Sequence, residues 1–449
     1  MALTGIQIYK LLPQTNCKDC GFPTCLAFAM KLAAKQVELS ACPHVSESAR
    51  AQLAESAAPP VRLVTVRSDS TEIKVGNEVV LFRHEKTFYH RPGLLVRVGD
   101  DRTPSALEAT VAAADAYRVS YVGMDLGIDG FAVESVTGDP GRFAAAVQTV
   151  RRHTRRPLAL LAPSAAVLGA GLEMIAANET PLLGVAAADN WQDMADLARK
   201  ARAPLVVRGH TLSELADLTE KIKAAGVEDM VLDPAARDLA GHLALSTLIR
   251  RLALKKTFRP LGYPLIAFAD AVDDPAVASM LAAQAILKYA GFVVIDHFAP
   301  ETIYPLLVLR QNIYTDPQKP IQVQPGLYEI NNPKPEDPVL VTTNFSITYF
   351  SVANEVEGSG LPAWLVVADA EGMSVLTAWA AGKFDAERIA KDVKRFGVDA
   401  KVSRRRLVIP GHVAVLSGEL EAELPDWEIR VGPREAVDLP RYMKEALRN

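Results

Sequence analysis

The stretch LIAFADAVDDPAVASMLAAQAILKYAGFVVIDHF, residues 265–298, contains two apolar runs on either side of a helical segment. Its first and last seven residues, LIAFADA and FVVIDHF, are nearly continuous in apolar side chains, which is typical of parallel strands buried on both faces. Asp274 can cap the intervening helix, with Pro275 at its first position, and Gly291 can close it. The stretch therefore predicts a strand–helix–strand unit of a parallel sheet.

The same alternation of apolar runs and helical stretches is repeated along the centre of the chain. Eight such runs begin at Leu94, Gly130, Leu158, Leu182, Leu205, Met230, Leu265 and Phe292. Eight β/α units predict a (β/α)8, or TIM, barrel. A doubly wound sheet is the alternative, because a strand count does not prove closure.

The segments on either side of the barrel predict two further domains and an α/β multidomain fold. Residues 1–60 predict a small helical domain that ends at ESAAPP, a segment that could act as a hinge. Residues 61–320 predict the barrel domain, which begins with a hairpin built from RLVTVR, TEIKV and EVVLF. Residues 321–449 predict a Rossmann-like domain. Its four strands begin at Val339, Ala363, Arg405 and Trp427 and alternate with helices.

Two short helices are predicted in the N-terminal segment. Thr4 can cap the first helix, whose apolar residues are Ile6, Ile8, Leu11 and Leu12. The second helix starts near Thr24 and carries Leu26, Met30 and Ala33 on one side.

Composition excludes several classes of protein as the first expectation. The chain has 449 residues, 49% of them hydrophobic and 23% charged, and a net charge of −4. These values give no indication of a nucleic-acid or membrane partner. No apolar run approaches the roughly 18 residues of a membrane span, and the N-terminus lacks the features of a signal peptide. We therefore expect a cytoplasmic, reducing location, in which disulfides are disfavoured.

All four cysteines of the chain lie within its first tenth, at Cys17, Cys20, Cys25 and Cys42. Zinc usually takes two short Cys-x2-Cys pairs, and only one is present. Unequal spacing suits a four-iron four-sulfur cluster, in which each iron takes one thiolate. Thr24 would place Cys25 at a helix start, where free N–H groups stabilise negative charge. The spacing favours an iron–sulfur cluster over zinc or unligated thiols.

Polar residues also follow the strands of the predicted barrel, where the function of such barrels resides. They are Asp100, Glu134, Asn190, His210, Asp233, Asp270, Asp296 and His297. Acidic residues there can bind substrate or act as bases. Strand-end aspartates are also common helix caps, so the structural interpretation is favoured.

Ligands of open α/β sheets bind beyond the carboxyl ends of the strands, which selects the loops of the third domain. The candidate ligand-binding residues in these loops are Thr343, Asn344, Ser346, Glu371, Gly372, Met373, Ser374, Gly411, Gly432 and Pro433. Glycines at these turns allow close approach of a flat or phosphate-bearing ligand, although they are also ordinary turn residues. The absence of Gly-x-Gly-x-x-Gly and of a P-loop argues against a dinucleotide or a nucleoside triphosphate.

Several motifs together resemble the large (gamma) subunits of corrinoid iron–sulfur proteins of the acetyl-CoA pathway. The first is LTGIQIYKLLPQTNCKDCGFPTCLAFAMKLA, followed by SACPHVS. YFSVANEVE, LVVADAEGMSVLTAWAAGKF and RLVIPGHVAVLSGELEAELPDWEIRVGPREA reinforce it, as does the order of the three domains. The resemblance covers essentially the full length. The cysteine motif alone is less specific, because similar modules occur in other redox proteins.

The resemblance implies a methyl-group carrier subunit rather than a stand-alone enzyme. The cobalt of its corrinoid, as Co(I), would take a methyl group from methyltetrahydrofolate through a separate methyltransferase and give it to acetyl-CoA synthase. The loops of the third domain would hold the corrinoid, and the four cysteines would hold the cluster. A small subunit would complete a heterodimer, and the large barrel would be a scaffold.

The resemblance also implies a corrinoid without a histidine ligand. The Asp-x-His-x-x-Gly motif that supplies such a ligand elsewhere is absent, and His412 is not expected to replace it. Weak axial ligation makes Co(I) easier to reach, and the cluster would return the electron when Co(I) is lost to Co(II). Two alternatives stay open. One is an electron-transfer subunit without corrinoid, and the other is a methyltetrahydropterin:corrinoid methyltransferase that uses Asp100, Asn190 or Asp233 of the barrel.

Overall fold

The computed structural model describes residues 4–34, 36–50, 53, 59–270, 274–315 and 321–447. The chain divides into two compact units. The first contains residues 1–117 and 127–314, and the second contains residues 118–126 and 315–449. Within the described ranges, every helix is too short or too polar to cross a membrane.

The N-terminal part of the first unit contains the two predicted helices, Gly5–Leu11 and Cys25–Ala33. Thr4 caps the first helix in a capping box with Gln7. The predicted apolar side of the second helix is wrong. Its buried residues are Cys25, Phe28 and Ala29, whereas Leu26 and Met30 are exposed. Ile6 is also exposed. ESAAPP lies mostly outside the described residues.

An antiparallel hairpin of β1 (Val64–Arg67) and β2 (Glu72–Val75) precedes the barrel and packs into its apolar interior. The prediction of a third strand at EVVLF, residues 78–82, is wrong. Its backbone is satisfied by side chains instead, because Arg250 donates to the Val80 carbonyl and Tyr289 to the Leu81 carbonyl. Gly76 and Asn77 both have positive φ, but they lead into this irregular segment rather than into a strand.

A closed barrel of eight parallel strands forms the centre of the first unit. Its strands are β3 (Gly93–Gly99), β6 (Gly130–Glu134), β7 (Leu158–Leu161), β8 (Leu182–Ala186), β9 (Leu205–Arg208), β10 (Met230–Asp233), β11 (Leu265–Ala269) and β12 (Ala290–Ile295). Each predicted run forms one strand, so the TIM barrel is confirmed and the doubly wound alternative is wrong. The barrel helices are Pro104–Ala116, Pro140–His153, Ala165–Leu172, Trp191–Ala201, Leu212–Ala224, Leu239–Lys255, Pro275–Leu287 and Pro300–Ile313.

The helix that the opening stretch predicts begins as expected and ends earlier. Asp274 accepts a hydrogen bond from the Ala276 N–H, and Pro275 is the first helical residue. The helix ends at Leu287, and Gly291 lies within β12 rather than closing the helix. A side chain at Gly291 would approach Pro264 and Val75 to 3.0 Å, so packing accounts for this glycine.

The second unit contains an open five-stranded sheet in the order β13–β15–β14–β16–β17. The four predicted strands are present and parallel, as β14 (Val339–Thr343), β15 (Ala363–Ala368), β16 (Arg406–Ile409) and β17 (Glu428–Val431). The antiparallel edge strand β13 (Gly326–Ile330) was not predicted. The connecting helical segments are Ser346–Ser359, Val375–Ala380, Ala386–Arg395, Val398–Lys401, Gly411–Leu416, Ser417–Glu423, Ala436–Asp438 and Leu439–Ala446.

A second hairpin, which the sequence analysis did not predict, leaves the barrel between the helix Pro104–Ala116 and β6. It consists of β4 (Val119–Tyr121) and β5 (Met124–Leu126). These residues belong to the second compact unit, although the chain returns to the barrel at Gly127. The second unit therefore includes a short segment that lies, in sequence, between the first and second strands of the barrel.

We expect Arg250→Met to destabilise the barrel by about 3–5 kcal/mol, because it leaves the carboxylate of Glu78 buried without its cationic partner. Both side chains are at least nine-tenths buried, and Arg250 also lies over the ring of Tyr289. Urea unfolding followed by circular dichroism measures the change. Arg251→Met, at the exposed neighbouring position, is the control and should cost no more than about 0.5 kcal/mol. Equal losses in the two variants would contradict the assignment.

Candidate functional site

The cysteines lie in and beside one small apolar core at the N-terminus. Cys25 and Cys42 are buried in it, Cys20 packs against it, and Cys17 is exposed. All four thiols are free of disulfide bonds. The core residues around them are Ile8, Leu12, Phe28, Ala29, Val45, Ala49 and Leu53. Folding thus gathers residues from three separate segments around the thiols.

The loop that carries Cys17 has an unusual backbone. Gln14, Asn16 and Lys18 all have φ between +50° and +69°, so left-handed residues recur at alternate positions. Residues other than glycine adopt this conformation uncommonly, and asparagine is among those that tolerate it best. The loop around Cys17 is therefore held in a conformation that local preference alone does not explain.

Two N–H groups at the start of the helix at Cys25, which the sequence analysis predicted to be free, have acceptors within the protein. The Oδ1 atom of Asn16 accepts the Cys25 N–H at 2.8 Å, and the Oγ1 atom of Thr24 accepts the Ala27 N–H at 3.1 Å. Two of the N–H groups of the first helical turn are therefore used within the protein. The predicted contribution of this terminus to a cluster is correspondingly smaller.

A polar pair lies next to the exposed thiol. The Oδ2 atom of Asp19 lies 2.6 Å from the Nε2 atom of His44, and this hydrogen bond lowers the pKa of Asp19 below its ordinary value. One ligand atom each from Cys17, Asp19 and His44 lie within 4.8 Å of one another. The exposed side of the cysteine domain therefore offers metal-ligand atoms beyond the thiols.

Charged residues at the mouth of the barrel are paired with one another. Arg97 lies 3.0 Å from Glu134, 2.6 Å from Asp296 and 3.9 Å from Asp270. Burial raises the pKa of Asp296, although the charge of Arg97 opposes this shift. Arg237 lies 3.6 Å from Asp270 and so extends the network. These groups form an ion network across the ends of four barrel strands, although the buried Oδ1 atom of Asp270 has no hydrogen-bond partner.

The remaining barrel candidates have structural contacts. Asp233 is fully buried between Arg208 and Arg237 at 2.7 and 2.9 Å. Burial alone would raise its pKa, but the two guanidinium groups lower it below the ordinary value. Asp100 accepts four hydrogen bonds from the loop Ser135–Thr137. Asn190 bonds the backbone of its own loop, whereas His210 is exposed and His297 half-buried. These contacts suit the structural interpretation of the barrel candidates.

Asn344, after β14, organises the neighbouring loop. Its Oδ1 atom accepts the N–H groups of Ala370 and Gly372 at 3.0 and 2.9 Å, and its side chain is buried. Glu371, in that loop, has φ of +54° and lies 2.6 Å from the Nζ atom of Lys383. Both polar side chains are thus committed to contacts within the protein.

Gly411 and Gly432 bring two further loops into contact. A side chain at Gly411 would lie 2.5 Å from the Gly432 carbonyl oxygen and 2.9 Å from the Arg434 nitrogen. The Gly432 N–H donates to the Ile409 carbonyl at 2.9 Å. Close approach of two backbones is therefore one reason for these glycines, in addition to the predicted approach of a ligand.

A cavity of about 310 Å³ opens at the carboxyl ends of β14 and β16. Ser374, Gly432 and Pro433 of the predicted residues line it, whereas Thr343, Asn344, Ser346, Glu371, Gly372, Met373 and Gly411 do not. Residues that were not predicted include Thr342, Thr348, Ser351, Val408, Arg434 and Leu439. His412 also lines the cavity, 3.7 Å from Glu435.

The hydroxyl of Thr342 is the most informative polar group in this cavity. Thr342 and Thr343 are fully buried, and their Oγ1 atoms have no hydrogen-bond partner. A buried hydroxyl without a partner costs about 1–3 kcal/mol and calls for an explanation. Of the two, only Thr342 lines the cavity. The consecutive threonines in the strand VLVTT were the sequence signal for this residue.

Six exposed apolar side chains lie at the strand ends of the sheet, and two of them, Ile347 and Leu376, line the cavity. They are Ile347, Leu376, Trp379, Val415, Val431 and Val437, and each lies at or after the carboxyl end of a parallel strand. Among the described residues of the second unit, these are the exposed large hydrophobic side chains. Concentrated exposure of this kind marks a surface that binds a ligand or a partner. We call these six residues the apolar rim.

The chain has the architecture of a multidomain cofactor-binding protein. It combines a cysteine domain with a (β/α)8 barrel and an open α/β sheet that has a crevice. The family model described as "CO dehydrogenase/acetyl-CoA synthase delta subunit" matches residues 63–443. The model described as "Putative Fe-S cluster" matches residues 12–44. The match to the cysteine segment is separate from the match to the rest of the chain.

Full-length relatives decide the family. The chain is 44% identical over 447 residues to the corrinoid/iron-sulfur protein large subunit of Moorella thermoacetica, covering 100% of both chains. It is 34% identical to the acetyl-CoA decarbonylase/synthase complex subunit gamma of Methanopyrus kandleri, covering 99% of this chain and 98% of the relative. The chain therefore belongs to the family of corrinoid/iron–sulfur protein large subunits, which confirms the resemblance.

Two solved structures resemble part of this chain. Dihydropteroate synthase from Thermus thermophilus is 19% identical, with a TM-score of 0.38, and the match covers 56% of this chain and 99% of the synthase chain. The 7,8-dihydropteroate synthase of Vibrio fischeri is 13% identical, with a TM-score of 0.39, and the match covers 57% of this chain and 100% of the synthase chain.

We expect Gly411→Ala to destabilise the second unit by about 1–3 kcal/mol, because the new methyl group would overlap the backbone after β17. Gly418→Ala is the matched control, since a side chain there meets no atom within 4 Å. In the helix Ser417–Glu423 this control should stabilise by about 0.5–1 kcal/mol. Thermal unfolding of both variants gives the comparison, and a loss of stability in Gly418→Ala alone would refute the packing argument.

Proposed function

We propose that this chain is the methyl-carrier subunit of a corrinoid iron–sulfur protein, with two resident cofactors. Cys17, Cys20, Cys25 and Cys42 hold a four-iron four-sulfur cluster, and the crevice of the second unit holds a corrinoid. The printed name of the Moorella relative pairs a corrinoid with iron–sulfur. The observation that carries the proposal is the cavity at β14 and β16, with its unpartnered Thr342 hydroxyl and its apolar rim.

The cysteine domain suits the cluster. Three thiols lie in or against one apolar core, where low polarity limits access of water to a bound cluster. The fourth, Cys17, is exposed and lies in the loop that has left-handed residues at alternate positions. These residues bind the irons and determine how exposed the cluster is to solvent. Solvent exposure is one of the factors that set the reduction potential of a cluster.

The crevice suits part of a corrinoid. A cavity of about 310 Å³ encloses only a portion of so large a ligand, so the remainder must lie on the surface. The apolar rim supplies a surface that is suited to a flat macrocycle. Thr342 offers a hydrogen bond within the cavity, and Thr348 and Ser351 supply two further hydroxyl groups. The residues thus bind, orient and shield the ligand.

The bound corrinoid supplies cobalt as methyl acceptor and donor, and the cluster supplies single electrons for its reactivation. We propose a corrinoid without a histidine ligand. His412 lines the cavity beside Glu435. The sequence around His412 does not match the Asp-x-His-x-x-Gly motif. Weak axial ligation favours the low-valent metal that methyl acceptance needs.

The proposed partners follow from the carrier role. They are a small subunit in a heterodimer, a methyltetrahydrofolate methyltransferase and acetyl-CoA synthase. The relatives are named as a large subunit and as a subunit of a decarbonylase/synthase complex. The working division is residues 1–60 for the cluster, 61–320 for the barrel and 321–449 for the corrinoid. We expect the protein to work in the cytoplasm, without membrane or nucleic acid.

An ultraviolet–visible spectrum with metal analysis tests the proposal most directly. Protein made with its partner subunit, where corrinoid is supplied, should contain about four irons per heterodimer and about one cobalt. Iron without cobalt would reject the carrier and favour an electron-transfer subunit.

Calorimetry with methyltetrahydrofolate examines the remaining alternative, a methyltransferase. The paired charges at the barrel mouth lead us to expect no binding by this subunit alone.

We expect Cys17→Ala to lose most of the cluster and its visible absorbance while the corrinoid content is retained. The thiol of Cys17 is exposed, so its removal changes little packing and tests ligation alone. Reactivation of oxidised protein should then be lost, whereas methyl transfer by pre-reduced protein should persist. Lys31→Ala, an exposed substitution in the same domain, is the control. Full iron content in Cys17→Ala would reject this residue as a ligand.

We expect Thr342→Val to have opposite effects on stability and binding. The corrinoid-free protein should be as stable as the parent or more stable, because an unpartnered buried hydroxyl is removed. Corrinoid affinity should fall roughly fivefold, which corresponds to a lost hydrogen bond of about 1 kcal/mol. Thermal unfolding and corrinoid titration measure the two effects. Thr343→Val is the control, because it makes the same change outside the cavity. If corrinoid affinity fell in Thr343→Val and not in Thr342→Val, the ligand contact would belong to Thr343.

A further inference from the structure

The hairpin of β4 and β5 has a strained tip. Tyr121 pairs with Met124, so the turn consists of Val122 and Gly123 alone. Both have positive φ, +50° and +77°, as a type I′ turn requires. Asparagine, aspartate or glycine normally occupies the first position of such a turn, and a β-branched residue there is a conformational outlier. Some other interaction must therefore hold Val122 in place.

Burial in the second unit accounts for this valine. Val122 is 5% exposed and lies in the apolar cluster that contains Val323, Leu340 and Leu365. Its carbonyl accepts the N–H of Gln324 at 3.3 Å. The tip of the hairpin is thus part of the core of a unit whose other residues begin nearly two hundred positions later.

Neighbouring residues of the hairpin fit the same surface. The ring of Tyr121 lies 6.4 Å from that of Phe350, and Met124 packs against the same cluster. A side chain at Gly123 would collide with the Tyr328 hydroxyl group and approach Gln324 to 3.0 Å. Glycine is therefore needed for close approach as well as for its backbone conformation.

The geometry points to a strap, formed by residues 118–126, through which the barrel segment of the chain holds the second unit. We infer that the strap remains inserted in the second unit when that unit changes its orientation. The strap and the second unit then move as one body. The chain then joins the units at 117–118, 126–127 and 314–315, rather than at a single linker. These three connections limit how far the unit can turn toward different partners, a consequence that rests on the proposed carrier function.

The strap also supports the wall of the cavity. Phe350, which faces Tyr121, lies on the helix Ser346–Ser359, and the neighbouring Ser351 lines the cavity. One helix therefore contacts the strap through one side and the cavity through another. Loss of the strap should disturb this helix before it disturbs the barrel.

Hydrogen exchange on the full chain tests the insertion without any corrinoid. Val122→Asp places a charge in the apolar cluster and should lower protection at least tenfold in residues 118–126, 323–330 and 349–356. Barrel strands β7 to β9 should keep their protection, which verifies folding. Ser120→Asn introduces a polar side chain at an exposed position of the strap without adding a charge opposite Asp125, and it should change nothing. Unchanged protection of residues 323–330 in Val122→Asp would overturn the inference. If that variant does not fold, the milder Val122→Ala replaces it under the same criterion, because it removes buried methyl groups without introducing a residue that the turn favours.

Cross-linking tests whether the strap stays inserted during turnover. Tyr121→Cys and Phe350→Cys, joined by a short bifunctional thiol reagent in the complete complex, would lock the strap to the second unit. We expect methyl transfer to keep at least four-fifths of its rate, and each single-cysteine variant treated in the same way is the control. A tenfold loss specific to the double variant would show that the strap must release. Failure of the complex to bind corrinoid would reject the proposed function, but the exchange experiment would still decide the insertion.

Discussion

The crevice of the second unit results from one topological constraint, the handedness of crossovers between parallel strands. The helix after β14 packs on the sheet face that carries Leu340 and Val408, whereas the segments after β16 pack on the face of Leu407 and Ile409. Because β14 and β16 are neighbours, their helices diverge and leave the carboxyl edge open between them. The unpartnered hydroxyl of Thr342 lies at this opening, together with Ile347 and Leu376 of the apolar rim and with Gly432 of the close loop contact after β16 and β17.

Patterns that depend on local sequence predicted most of the fold. Eight apolar runs gave eight barrel strands because a strand that is buried on both faces must be apolar along its whole length. EVVLF failed because Arg250, about 170 positions away, satisfies its backbone. β13 is a short, half-exposed edge strand, and the β4–β5 hairpin has a valine where turn rules expect asparagine or glycine. In each failure a distant contact outweighed a local preference.

The cavity lies at the edge of the sheet that the sequence analysis selected, but only three of the ten candidate residues line it. The rule that ligands bind beyond the strand ends selects loops, and Ser374, Gly432 and Pro433 do line the cavity. Asn344 is committed to loop backbone. The rule overlooks residues inside the elements, such as Thr342 at the end of β14. Whether a hydroxyl there has a partner depends on neighbouring strands and helices, which a single sequence does not reveal.

In the cysteine domain, the hydrophobic pattern does not predict which side of the second helix is buried. Leu26 and Met30 would form the apolar face of an ordinary helix, yet they are exposed, and Cys25 lies inside with Phe28. Turning Cys25 inward places it in the same core as Cys42, at the expense of two large apolar residues in solvent. The core that remains is too small to stabilise a domain of this size alone. The proposed thiolate–iron bonds would supply the missing folding energy. Because the Cys17 side chain is exposed, its removal tests ligation with little direct loss of packing.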